Sequence, residues 1–198
     1  MVQFIKTLPY ELHPHAINSF EYLARVALQT INPQSTADAP LAIHADIVFH
    51  SPLRRVSDTL ARHQKNTCRD YLREIPFDLK QLCTKKEWET NGSVIVRKRF
   101  KEAFIKDSLP ITRRMVFAQI RAMLKECARI LSPSRTAVLS HSFRIKLIEA
   151  YIKTQGTIVE HPDRIHAYLL DTETTYPFGG GFMASNRELQ YALDNTPA

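Results

Sequence analysis

Short apolar runs alternate along this chain with stretches whose apolar residues recur at helical spacing, and that alternation limits the fold more than any other feature. Residues 2–5, 43–49 and 136–139 are runs of strand length, and 157–160 and 166–170 read as two later strands. Between them lie amphipathic stretches. Over residues 14–31, Ile17, Phe20, Leu23, Ala24, Ala27, Leu28 and Ile31 make one apolar face. Over 113–131, Val116, Ile120, Met123, Leu124, Cys127 and Leu131 oppose Arg121, Lys125 and Arg129. Further helices are expected at 52–63, 142–153 and 186–193, with residues 66–95 less regular around Pro76, Trp88 and Asn91-Gly92. Strand and helix in alternation predict an α/β fold, a three-layer α/β/α sandwich with a mostly parallel central sheet. With 198 residues and no long linker, one domain over 1–198 is expected.

Charge and cysteine content narrow the setting. No run of about 18 apolar residues exists, and the first residues lack the layout of a secretory signal, so a cytoplasmic protein without a membrane span is expected. Cys68, Cys83 and Cys127 are odd in number and lack metal-ligand spacing, which fits a reducing compartment and predicts no metal. The net charge is +7. Residues 85–114 carry nine basic and four acidic side chains, a block able to attract phosphate-rich ligands, acidic proteins or nucleic acid.

In open parallel sheets, ligands bind beyond the carboxyl ends of the strands. Three strand ends here are polar: Lys6-Thr7, Ser51 to Arg55, and Ser140-His141-Ser142. The second is the most telling. The apolar run ends in Ser51-Pro52-Leu53-Arg54-Arg55, followed by Thr59, and the helix expected there would offer unpaired N–H groups and a positive dipole end to an anion. Arg55 would add a planar fork of donors.

The pattern Ser51-Pro52-Leu53-Arg54-Arg55 with Thr59 resembles a signature of the histidine phosphatase superfamily, the phosphoglycerate-mutase-like proteins. Ser140-His141 after a short apolar strand resembles that family's second histidine motif. Tyr71-Leu72-Arg73-Glu74-Ile75-Pro76-Phe77 is similar to the segment supplying its catalytic acid. The resemblance covers most of residues 1–155 and fades over 156–198. It implies that Arg55 holds phosphate, that His141 stabilises the transferring group, and that Glu74 is the acid/base group. No cofactor is implied.

The family's first motif, Arg-His-Gly, carries the histidine that takes the phosphoryl group. In this sequence Lys6, Thr7 and Leu8 stand in that place. Lysine keeps the charge but loses the bidentate fork. Threonine is a poor nucleophile without an adjacent base, and leucine cannot readily take a glycine-type backbone. His13 and His15 follow a few residues on, and neither is expected to substitute for the missing histidine or to hold a metal. His44 and His50 are expected to share one face of the second strand. Gly179-Gly180-Gly181 lacks the Gly-Lys-Ser/Thr ending of a phosphate loop and reads as a flexible connection.

Three functions are then open. The first is a degenerate relative, a pseudophosphatase, that binds a phosphorylated or other anionic small molecule or protein through Lys6, Thr7, Arg55 and His141. The second is an active phosphomonoester hydrolase or repurposed acid/base enzyme using Glu74 and His141. The third is a nucleic-acid or acidic-protein binding module built on the 85–114 block, ranked last because no nucleic-acid motif accompanies the charge. Oligomeric state is left open.

Overall fold

The computed structural model describes residues 1–7, 20–34, 40–60, 65–130, 134–170 and 176–195. Leu8, His13 and His15 lie outside the described residues, as do parts of the helices expected at 14–31 and 52–63. Along the chain the elements are β1 (Val2–Lys6), α1 (Phe20–Ala27), β2 (Ile47–His50), α2 (Arg54–Ser57), β3 (Asn66–Cys68), α3 (Leu79–Leu82), α4 (Lys85–Ile105), α5 (Arg113–Ala128), β4 (Thr136–Ser140), α6 (Ser142–Lys153), α7 (Pro162–Leu170), β5 (Gly181–Ala184) and α8 (Asn186–Asp194), with 3-10 turns at Asp70–Leu72 and Thr157–Glu160.

The strands form one sheet in the order β3-β2-β4-β1-β5, flanked by helices, as the alternation predicted. β1 and β2 both run parallel to β4, with Lys6 beside Ser140 and His50 beside Leu139. β3 is parallel to β2, and β5 alone runs antiparallel, against β1. Side chains alternate across the sheet. Val2, Phe4, Phe49 and Val138 face a large core with α5, α6 and α8, whereas Ile5, Val48, Ala137 and Leu139 face a smaller one with Ile43, Leu53, Val56 and Leu60. The parallel register brings the carboxyl ends of β1, β2 and β4 to one end of the sheet.

Several elements differ from the sequence reading. Residues 157–160 and 166–170, expected as strands, are a 3-10 turn and the end of α7. Ile165 and Leu169, four apart, are both fully buried, so the apolar run there serves a helix face. The second strand is shorter than expected and leaves His44 outside it, so His44 and His50 share no strand face. The irregular stretch after residue 66 contains β3 and begins α4, started by a capping box in which Thr84 and Glu87 bond reciprocally. Gly92 interrupts that helix with φ 59° and ψ −146°, so Asn91-Gly92 does punctuate, but helix continues on both sides. Gly179–Gly181 is no loose connection. The Gly179 N–H donates to the Lys6 carbonyl at 2.9 Å, and the Lys6 N–H to the Gly180 carbonyl at 2.8 Å. A Cβ on Gly181 would fall 1.7 Å from the Phe4 carbonyl oxygen, so only glycine lets β5 close on β1.

The basic block is divided between α4 and the start of α5. Three of its cations are paired within it: Arg99 with Glu87 at 2.6 Å, Arg113 with Asp107 at 3.0 Å, and Lys85 with Glu89 at 3.8 Å. No helix among the described residues is long and apolar enough to cross a membrane.

Candidate anion site

Two of the three strand ends run almost directly into helices. β4 passes into α6 through a single residue, His141, and β2 into α2 through Ser51, Pro52 and Leu53. Because β1, β2 and β4 are neighbours and parallel, Lys6, Thr7, Ser51, Arg55 and His141 converge. Glu74 reaches the same place from the segment after the Asp70–Leu72 turn. That segment is anchored where the Ser140 hydroxyl donates to the Leu72 carbonyl at 2.7 Å. All five sequence-predicted residues, Lys6, Thr7, Arg55, Glu74 and His141, are therefore at one end of the sheet.

His141 is the centre of the arrangement. It is 1% exposed, and Arg55 is 7% exposed. Arg55 Nη2 lies 3.0 Å from His141 Nδ1, and His141 Nε2 lies 2.9 Å from Ser51 Oγ. A guanidinium only donates, so Nδ1 accepts and Nε2 carries the proton, which it gives to Ser51. Burial, then repulsion by Arg55, Arg144 and Arg73, holds the imidazole well below its ordinary range, so it is neutral near pH 7. Glu74 Oε2 stands 3.6 Å from His141 Nδ1 and 3.9 Å from Arg55 Nη2. Its other oxygen, Oε1, is buried with no hydrogen-bond partner. Burial raises the Glu74 carboxyl above its usual range, against the pull of Arg55, Arg144, a backbone hydrogen bond at Ile75, and Lys6.

Lys6 donates to the Tyr176 carbonyl at 2.8 Å, and its ammonium lies 4.2 Å from the centroid of the Phe178 ring. Burial lowers its pKa, and Glu74 opposes that shift. Thr7 is buried, and its hydroxyl makes a long 3.5 Å contact with the Arg55 carbonyl.

One expected contribution is not met. The helix after Ser51 is the four-residue α2, and its leading amides are already engaged. Leu53 N–H donates to Ser51 Oγ at 3.3 Å and Arg54 N–H to Asn32 Oδ1 at 2.9 Å. The Leu53 and Arg54 amides are thus taken by Ser51 and Asn32, and the anion-favouring charge comes from side chains. Sequence reasoning also missed Arg144. On the first turn of α6 and 1% exposed, it donates from Nε to the Arg73 carbonyl at 2.8 Å and from Nη1 to Gln119 Oε1 at 3.1 Å. An arginine among Phe143, Ile145, Leu147 and Ile148, three residues after His141, was the available signal. Burial lowers its pKa to about 10.

Arg55, Arg144 and Lys6 all act electrostatically on Glu74. Three cations act on one carboxylate, whose pKa burial raises. Buried charge without matching counter-charge is costly, so the site is electrostatically suited to an added anion. The His50 ring donates from Nδ1 to the Ser51 carbonyl at 3.0 Å. Among the described residues no three His, Cys, Asp or Glu side chains converge as metal ligands.

No family model and no curated protein matches this chain. Solved structures do. The chain is similar to a phosphoserine phosphatase of Entamoeba histolytica, both as a mutant in complex with phosphoserine (17% identity, 90% of this chain and 87% of that one, TM-score 0.48) and in complex with 3-phosphoglyceric acid (19% identity, the same coverage, TM-score 0.47). It is also similar to a mycobacterial glucosyl-3-phosphoglycerate phosphatase, with 14% identity over 76% of this chain and 78% of that one and a TM-score of 0.46.

Proposed function

We propose that this chain is a degenerate histidine-phosphatase-like protein that binds a phosphorylated or other anionic ligand without a phosphohistidine intermediate. The observation that carries the reading is the group of three cations, Lys6, Arg55 and Arg144, that act on the carboxylate of Glu74; the resemblance adds that Thr7 stands where the family has its nucleophilic histidine. Arg55 supplies a planar fork for two phosphate oxygens, and Lys6 a point charge. A protonated Glu74 can donate to a third oxygen. His141 is not free to act as a base toward Thr7, because both of its ring nitrogens are engaged, one with Arg55 and the other with Ser51.

Inorganic phosphate tests the pocket. At about 100 times its Kd a ligand stabilises the folded state by roughly 2.7 kcal/mol, a rise of about 5–11 °C in Tm for a chain of this size. Arg55→Ala is expected to remove most of it. Absence of any rise, or a rise that Arg55→Ala leaves intact, overturns the reading. The joint substitutions Lys6→Arg, Thr7→His and Leu8→Gly are expected to confer phosphomonoester hydrolysis. Turnover of p-nitrophenyl phosphate by the unaltered chain at about 1 s⁻¹ or faster, within the ordinary enzymatic range, would show that the site is not degenerate.

A second reading rests on the closeness of Glu74 and His141. Burial raises the carboxyl and lowers the imidazole, so their proton affinities approach one another, as in acid/base pairs. If an activity of this kind exists, Glu74→Gln and His141→Ala must each abolish it.

A further inference from the structure

Phe178 is 55% exposed, yet it is held in place. The five residues that carry it, 176–180, are tied across the end of β1. Tyr176 accepts from the Lys6 ammonium, Gly179 and Gly180 bond the Lys6 backbone, and the Gly180 N–H donates to the Pro177 carbonyl at 3.0 Å. The ring itself lies on the Lys6 ammonium, a cation–π contact that restrains it. Lys6 is coupled to Glu74, and Glu74 to Arg55 and His141. Phe178 therefore stands at the rim of the anion site, one residue away from its floor.

The floor is closed: Arg55 and His141 are buried, so the remainder of any ligand held there must extend toward solvent. On the Lys6 side, that route passes Phe178. An isolated exposed apolar side chain needs no explanation. A fixed aromatic ring beside a cationic pocket, however, offers a flat surface to whatever is attached to the anion.

We propose that Phe178 is a specificity-determining residue, and that the ligand is the phosphate ester of an aromatic alcohol whose ring packs on it. This rests on the anion-site reading given under Proposed function. A ring–ring contact contributes beyond simple burial by an amount equivalent to roughly two- to tenfold in affinity. An alkyl ester of the same charge lacks that contribution.

Isothermal titration of the full chain with inorganic phosphate, ethyl phosphate and phenyl phosphate tests the proposal. Phenyl phosphate is expected to bind several-fold tighter than ethyl phosphate. In Phe178→Ala the ratio of the two affinities falls toward one, and in Phe178→Leu, which keeps apolar area without the ring, it takes an intermediate value. The ratio is formed within each variant, so any general weakening transmitted through Lys6 cancels. A ratio near one in the unaltered chain, or one that survives in Phe178→Ala, overturns the proposal. If inorganic phosphate binds while the ratio is one, the specificity assignment alone falls. If none of the three binds, the anion site falls with it. A peptide bearing one phosphotyrosine separates the sources of such a ligand: tighter binding than phenyl phosphate assigns a phosphorylated protein, and weaker binding a free aryl phosphate.

Discussion

Replacing Gly181 by alanine should cost this protein far more than its position near a strand end suggests. A Cβ there would fall 1.7 Å from the Phe4 carbonyl oxygen, 2.8 Å from its carbon and 3.1 Å from Ile5 Cα. These are backbone atoms of the strand beside it, so no side-chain rotation relieves the clash. Real Cβ contacts essentially never fall below 3.0 Å, so β5 must retreat by at least 1.3 Å. The Lys6 N–H to Gly180 and Gly179 N–H to Lys6 bonds, now 2.8 and 2.9 Å, would then stretch beyond hydrogen-bond range. Two such bonds contribute about 2 kcal/mol. Separating the stacked rings of Phe4 and Phe182, whose centroids are 4.7 Å apart, adds on the order of 1 kcal/mol. A total of about 3 kcal/mol lowers the Tm of a domain of this size by roughly 6–12 °C. Thermal unfolding followed by circular dichroism reads this directly. A Gly181→Ala protein melting within about 2 °C of its parent would refute the close approach of β5 to β1.

The neutral His141 makes stability depend on pH. Its folded pKa is depressed by burial and by Arg55, so its contribution is present above the unfolded value near 6.5 and is lost as pH falls below it. Denaturant unfolding should therefore show the stability gap between the parent and His141→Asn shrinking from pH 7 to pH 5, by at most about 1.4 kcal/mol per unit; a constant gap would contradict a neutral imidazole. Arg144→Met leaves the Arg73 carbonyl and Gln119 without their donor, partly offset by removal of a buried charge, for a net loss of about 2 kcal/mol. Chemical denaturation measures that loss, and an equal or greater stability would show that the guanidinium contributes nothing there. Cys68 is exposed, whereas burial raises the thiol pKa of Cys83 and takes that of Cys127 up to about 12. A thiol reagent under native conditions should label Cys68 rapidly and the other two only on unfolding, and fast labelling of Cys127 would place it outside the core.

The elements that could be read in advance are those with a sustained pattern, either buried throughout or apolar along one helix face, as in α5. β4, all five residues buried, and α6, bounded by Ser142 and Lys153, lie where the sequence patterns put them. Short apolar runs without a clear period went astray. Thr157-Ile158-Val159 looks like a strand in composition but turns on the left-handed Gly156, and Tyr168-Leu169 belongs to a helix that opens with Pro162. β3 escaped notice because Asn66, Thr67 and Cys68 form a polar edge, and β5 because it begins with the residue type least associated with strands. At the site, motif order placed Arg55, Glu74 and His141 together. It gave no hint of Phe178, which lies in no motif, and it left Arg144 unremarked although that residue follows Ser140-His141 within the same stretch. Arg144 sits on a helix turn otherwise occupied by core residues, and Phe178 is remote in sequence from every residue of the floor it borders except His141 and Arg144.

The reversed direction of β5 separates two duties that a parallel strand would have merged. Because β5 starts where β1, β2 and β4 finish, it is the stretch leading into β5, and not one leaving it, that overhangs the charged pocket. The positive floor is drawn from residues 6–144 and the overhang from 176–180. On the proposal made above, substitutions at Phe178 alter which molecules are accepted and reach the charge that holds them only through the ring's contact with Lys6. Retention and selectivity are free to diverge along this chain at different rates.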